Sequence, residues 1–303
     1  MRQFIIKIFV FMGILVVALL PLSLLFNRIA SRNYMAAVQV LKQSRPIVLI
    51  LGDSHPLAMK KEHLPPHVFN FSYGSDNLTD MYTKLQFFID QYGAPEMVVL
   101  ECDRHIFSTY RSVLNNNERS LFYMNFGVYR EIYGFHPLKY FVRRHVFRWF
   151  PMANMKNLQF AKKAAISRVE KFVSHKEERA QPPWSTVSVE DRVGRVEQRL
   201  ELQFSSPYDS VLVQRFFDIV TLCKDLNIRI LGVRYPVTPE YDQALNKMDL
   251  QRIEQVFLDN EVDYLDFSAS FSDPLLFQNE DHISEKGSLK LCRELDAHWS
   301  VIP

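Results

Sequence analysis

The sequence predicts an α/β protein with three layers, α/β/α, on a five-stranded parallel sheet, preceded by an apolar helix and interrupted by a helical insertion. Three observations carry this. Short apolar runs bounded by turn residues recur along the chain at lengths that suit buried strands. Segments of helical patterning lie between them, and that alternation implies a parallel sheet covered on both faces. With 303 residues and 48% hydrophobic content, the chain has material for one large α/β domain or two small ones.

The N-terminus comes first. From Ile8 to Phe26 the chain reads IFVFMGILVVALLPLSLLF, nineteen residues without a charge. That is long enough to cross a bilayer core as a helix. Arg2 and Lys7 precede it and Arg28 and Arg32 follow it, so flanking charge gives little orientation signal. No small-x-small cleavage site follows, which sets a cleaved signal peptide behind a signal anchor. A helix buried in a soluble core is the alternative, disfavoured because every face is apolar. The reading is a cytoplasmic end and transmembrane anchor over 1–26, a helical stalk over 27–44, and a domain over 45–303 outside the cytoplasm. A bacterial inner membrane crossed once, with a periplasmic domain, is the expected setting.

Five strands follow: Ile47–Leu51, His67–Phe71, Met97–Cys102, Ile228–Val233 and Val262–Phe267. Helices are expected at Thr79–Tyr92, Ser210–Leu226, Asp249–Asn260 and Ser284–Trp299. In such sheets ligands bind at the carboxyl ends of the strands, where Ser54, the stretch Ser72–Asn77 and Asp103 fall.

Between the third and fourth strands the alternation stops for about one hundred residues, 104–205. This insertion is aromatic (Phe122, Tyr129, Tyr140, Phe141, Trp149) and basic (Lys139, Arg143, Arg144, Arg148, then Lys156, Lys162, Lys163, Arg168 and Lys171). The pattern suits an anionic membrane surface or a membrane partner, and equally a cap packing its aromatics inward. Lys176–Glu190, with Gln181-Pro182-Pro183-Trp184, reads as an exposed loop. The net charge of +2 gives no support to a nucleic-acid partner. Cys102, Cys223 and Cys292 match no metal spacing and, being three, no closed disulfide framework; no metal and no cofactor are expected.

The chemistry concentrates at Gly52-Asp53-Ser54. A strand ending in such a turn lifts a hydroxyl clear of the sheet edge at the start of a helix; the plain alternative is an Asp-Ser helix cap. As a nucleophile, Ser54 needs a base, and His282 in Asp281-His282-Ile283-Ser284 is the candidate. The base needs an orienting group, either the adjacent Asp281 or Asn279 three residues earlier. Adjacent strand residues point apart, so Asp281 requires a turn to reach His282. Donors for an oxyanion are the N–H groups of Ser54 and Gly74 and the side-chain amide of Asn77. Gly74 reads equally as a turn residue and Asn77 as a helix cap.

These residues resemble the SGNH/GDSL hydrolase superfamily, in its membrane-anchored branch similar to proteins of polysaccharide O-acetylation and teichoic-acid D-alanylation. The resemblance covers the five strands and omits the insertion. It implies a flavodoxin-like SGNH domain with Ser54 as nucleophile, Gly74 as an oxyanion donor and His282 as base. The family's late Asp-x-x-His reads Asn279 to His282 here, and its third-strand asparagine donor is missing from Leu100-Glu101-Cys102-Asp103. The ending Asp281-His282-Ile283-Ser284-Glu285-Lys286-Gly287 resembles that of proteins working beside membrane-bound O-acyltransferases. The implied function is a serine esterase or O-acyltransferase acting on an extracytoplasmic glycan through an acyl-Ser54 intermediate. The competing reading is a non-catalytic subunit that docks a membrane-bound O-acyltransferase and binds polymer.

Overall fold

Each of the five apolar runs becomes a strand in the computed structural model, which describes residues 2–113, 120–146, 182–262 and 264–299. They are β1 (Val48–Leu51), β2 (Val68–Asn70), β3 (Met97–Glu101), β4 (Arg229–Arg234) and β5 (Tyr264–Asp266). All pair in parallel, in the order β2-β1-β3-β4-β5. In this order the direction of winding switches between β1 and β3, the place where doubly wound sheets bind ligands at their carboxyl ends. Every residue of β1 and the first four of β3 are fully buried, which explains why these strands read as unbroken apolar runs.

The helices are α1 (Arg2–Ser44), α2 (Ser54–Leu57), α3 (Leu78–Tyr92), α4 (Thr109–Val113), α5 (Phe126–Tyr133), α6 (Pro137–Phe141), α7 (Val189–Phe204), α8 (Ser210–Asp225), α9 (Pro239–Leu245), α10 (Gln251–Asp259) and α11 (Glu285–Trp299). The four expected helices correspond to α3, α8, α10 and α11. Helix α9 was not expected, although Thr238 caps it by accepting from Tyr241 N–H and Pro239 opens it, a start signal visible in sequence. Phe107, Phe216 and Phe257 pack as a trio with ring centroids 5.4–5.5 Å apart; the trio joins the loop after β3 to α8 and α10.

The chain divides into two compact units. One comprises Met1–Val40 and Asn125–Ala180; the other comprises Leu41–Met124 and Gln181–Pro303 and holds the whole sheet. The expected N-terminal span is a helix, α1, running through Pro21. A transmembrane helix is nevertheless not found: among the described residues no helix is long and apolar enough to cross a membrane. The side chains at 12, 15, 16, 18, 19 and 22–33 lie outside the described residues. Of the insertion, 114–119 and 147–181 also lie outside, including Arg148, Trp149, Lys156, Lys162, Lys163, Arg168 and Lys171.

One expectation is corrected. The stretch beginning at Pro182 is not an open loop, because Trp184 is completely buried. The guanidinium groups of Arg192 and Arg195 stand 5.5 and 5.1 Å from its ring. Pro182 and Pro183 are exposed, but the indole behind them forms the base on which α7 is seated. Polar context in the sequence hid one large apolar anchor.

Candidate active site

The turn after β1 is fixed by steric fit and charge. A side chain at Gly52 would collide with Pro56 and come within 2.6 Å of Glu101 Oε2, so only glycine allows β1 to pass this close to the end of β3. The Asp53 N–H donates to Glu101 Oε2 at 2.5 Å. Asp53 then caps α2, its Oδ1 accepting from His55 N–H at 2.8 Å. Its Oδ2 receives the Arg111 guanidinium at 2.6 Å and the His105 Nε2–H at 3.2 Å. With both neighbours of Ser54 turned inward, the serine is left half-buried at the sheet edge.

The turn before α11 is built mainly from the backbone. An antiparallel bridge pairs Phe277 with Ile283, and Gln278 N–H donates to the His282 carbonyl at 2.8 Å. Asn279 Oδ1 accepts from the N–H groups of Asp281 at 3.2 Å and His282 at 2.8 Å. This is the turn that Asp281 needs to reach its neighbour. At Gly287, a Cβ would strike the Leu276 carbonyl, which accounts for the glycine in the sequence ending.

The two turns meet at Ser54 and His282. His282 Nε2 lies 2.8 Å from Ser54 Oγ. Its Nδ1 lies 2.7 Å from Asp281 Oδ1 and 3.0 Å from Asn279 Oδ1. An Nδ1–H donating to the carboxylate leaves Nε2 as the acceptor of the serine proton. Asn279 therefore shapes the turn and touches the ring, while Asp281 makes the shorter contact and brings the charge.

Asp281 is almost fully buried. Burial alone would raise its pKa, but the hydrogen bond to His282, the nearby His55 and the charges of His282 and Arg199 hold it well below the usual carboxylate range. Its Oδ2 accepts from Arg199 Nε at 2.7 Å and Gln203 Nε2 at 3.0 Å. Both donors come from α7, and Arg195 of the same helix face bonds Glu280 at 3.1 Å. Sequence reasoning missed these residues. Their signal was the spacing of Arg192, Arg195 and Arg199, which places all three on one side of a helix.

A second histidine was also missed, although it follows Ser54 directly. His55 Nδ1 lies 2.5 Å from Asp103 Oδ2, its Nε2 lies 3.8 Å from Asp281 Oδ2, and its ring meets that of His282 edge-on at 4.9 Å. Burial would lower its pKa, yet Asp103 and Asp53 hold it well above the ordinary histidine value. That direction favours the imidazolium form. Burial, with Asp53 and Asp103 nearby, keeps Glu101 protonated by raising its pKa well above normal. Burial keeps His105 neutral by lowering its own. The carboxylates of Asp53, Asp103 and Asp281 are thereby balanced by His55, Arg111 and Arg199, the compensation that buried charge requires.

Asp53, His55, Glu101 and His105 hold ligand-type atoms within 4.8 Å of one another, as do His55, Asp281 and His282. The Arg111 guanidinium on Asp53 and the protons on His55 make this donor set a poor fit for a dication.

The expected oxyanion donors fare differently. Gly74 is half-buried in a turn closed by Asp76 N–H donating to the Tyr73 carbonyl at 3.0 Å; a Cβ there would meet only Leu57 Cδ2 at 4.0 Å, so packing does not demand glycine. Asn77 caps α3, its Oδ1 accepting from Thr79 and Asp80 N–H at 3.0 and 3.2 Å. Its buried Nδ2 has no partner among the described residues. Asp103 spends both oxygens on His55 and on the Tyr235 N–H, the latter at 2.8 Å, tying β3 to β4. Beyond His55 a small pocket of about 20 Å³ opens at the ends of β3 and β4, lined by residues that include Asp103, Arg104, Tyr235 and Tyr241. No protein-family model and no curated protein matches the chain.

Proposed function

We propose that this protein is a serine esterase or O-acyltransferase that modifies a cell-surface or secreted polysaccharide outside the cytoplasm through an acyl-Ser54 intermediate. The observation that carries the reading is the continuous contact Ser54 Oγ–His282 Nε2 at 2.8 Å and His282 Nδ1–Asp281 Oδ1 at 2.7 Å. Ser54 Oγ attacks the acyl carbonyl carbon while His282 Nε2 takes its proton. The oxyanion is received by the N–H groups of Ser54 and Gly74 and by the Asn77 amide, whose unpartnered buried nitrogen supports that role. The carbonyl re-forms, the bond to the donor oxygen or sulfur breaks, and His282 returns the proton to that leaving group. A sugar hydroxyl or water then attacks the acyl-serine, and the same proton path restores Ser54. The part-buried Arg199 and the buried His55 help keep Asp281 ionised, so it stabilises the imidazolium without taking its proton. The resemblance to SGNH/GDSL hydrolases supports the same assignment.

An N-terminal anchor in a bacterial inner membrane, with the sheet-bearing unit on the periplasmic side, belongs to this proposal. It is supported by α1, where Phe4, Ile5, Ile6, Ile8, Phe9 and Val10 are all exposed. Positions 4–10 span nearly two helical turns, and Lys7 is the one charged side chain among them.

The test is to treat the full chain with an activated acetyl ester and measure intact mass. An acetyl adduct on Ser54, discharged faster by added oligosaccharide than by water alone, fits the transferase; discharge indifferent to sugar fits the esterase. The absence of any Ser54 adduct favours the non-catalytic polymer-binding subunit, a reading supported by the missing third-strand asparagine.

A further inference from the structure

We infer that Phe135 and the outward face of α6, which carries Leu138 and Phe141, rest on the headgroup surface of an anionic phospholipid bilayer. The inference rests on the membrane-anchor reading and adds a second, separate lipid contact to it.

Phe135 touches Phe126 at 5.8 Å between ring centroids and is otherwise open. Tyr140 points inward and packs on Phe126 and Tyr129, with centroids 5.3 and 5.1 Å away. Phe135, Leu138 and Phe141, spaced three residues apart, are 68, 74 and 55% exposed. This spacing puts Leu138 and Phe141 on one helical face. Large apolar side chains left in water at this density mark a contact surface.

Charge identifies the partner. Lys139 is exposed beside Leu138, and Arg143 and Arg144 follow in the next turn, Arg143 lying 5.6 Å from the Tyr133 ring. From Ile132 to Val169 the sequence contains eight Lys or Arg residues and no Asp or Glu. A tract of one sign interleaved with aromatics suits a negatively charged interface. A bilayer is favoured over a protein partner because this segment shares its compact unit with the start of α1, where Phe4, Ile5, Ile6, Ile8, Phe9 and Val10 are exposed.

Nitroxide labels can test this in the full chain, because the three native cysteines are buried and a new exposed cysteine takes the label selectively. Leu138→Cys reads the proposed surface, Val17→Cys reads the anchor, and Leu258→Cys serves as a water-exposed reference. The protein is reconstituted in vesicles of phosphatidylcholine alone and of phosphatidylcholine with phosphatidylglycerol. At position 138 the ratio of oxygen to water-soluble nickel collisions should rise at least threefold on adding phosphatidylglycerol. The rise should vanish when Lys139, Arg143 and Arg144 are changed to Glu. If Val17 is in lipid while Leu138 stays in water in both compositions, the inference is overturned and the anchor stands. Water exposure at both positions overturns both. Spin–spin broadening at 138 would show a second copy covering the face and also overturns the lipid assignment.

Discussion

The turn that carries Ser54 and the turn that carries His282 reach the same point by different means. The first is held by a glycine that admits no side chain and by buried charge, with Asp53 locked to Arg111 and His55 to Asp103. The second is held largely by backbone bonds and by Asn279, and only Asp281 ties it into the buried charges. The difference separates stability from chemistry. Substitutions around the first turn should unfold or soften the protein, whereas substitutions in the second should act chiefly on the reaction.

The largest expected effect sharpens that contrast. Asp281→Asn leaves an amide that cannot stabilise the imidazolium, and the acylation rate should fall by about 10⁴-fold, with the circular dichroism spectrum unchanged. Asp281 also receives Arg199, so a compensating Arg199→Met in the same chain restores charge balance without restoring activity. Rates within tenfold of the parent would remove Asp281 from the proton path.

Next comes the first turn. Arg111→Met strands the Asp53 carboxylate without its guanidinium, and breaking a buried pair in this way costs about 3–5 kcal/mol. Chemical denaturation should register that loss, and probe labelling of the protein that remains folded should persist. An unchanged denaturation midpoint would mean that the charges of this turn are not what holds it.

The pH dependence follows with a smaller effect. His55, its folded pKa raised by Asp103 and Asp53 against the opposing effect of burial, contributes stability that is complete below its unfolded pKa and lost as pH rises through the folded value. Glu101, raised by burial, is a cost that grows above the ordinary glutamate pKa until it ionises. Asp76, which pairs with Lys84 and is pushed up by burial to about 7, adds a similar cost over its own range. All three make stability decline toward alkaline pH. On the acid side, Asp53 and Asp281, with depressed pKa values, contribute above the ordinary aspartate pKa and lose that contribution as pH falls through their folded values. Glu101→Gln should flatten the alkaline decline while keeping an acceptor for the Asp53 N–H. A slope equal to the parent's would show that Glu101 does not titrate there.

The smallest effect belongs to Asn279. Asn279→Ala removes the acceptor of two backbone N–H groups and should cost about 1 kcal/mol of stability with less than a tenfold loss of rate. A loss matching that of Asp281→Asn would make Asn279 the orienting group instead.

The sheet was legible because buried parallel strands are nearly continuous apolar runs, as in Val48–Leu51 and Met97–Glu101. Ser54 and His282 were legible because each stands at a strand or helix boundary beside an acid. What the sequence hid was contact at a distance. Arg199 and Gln203 reach Asp281 from positions 82 and 78 residues away, on a helix whose start was read as loop. His55 was overlooked beside Ser54 because a histidine turned toward the core and one turned toward solvent look alike in one dimension. The choice between Asn279 and Asp281 stayed open because it depends on a turn, and turns that are held by side-chain caps leave only weak traces in sequence.

The central claim is that Ser54 is a nucleophile activated by His282. The most direct measurement is intact mass after exposure of the full chain to a fluorophosphonate. A single adduct mapping to Ser54, absent in Ser54→Ala and slowed at least a hundredfold in His282→Ala, is the expected result. A parent chain that takes up no label, or a Ser54→Ala variant that labels as the parent does, would contradict it.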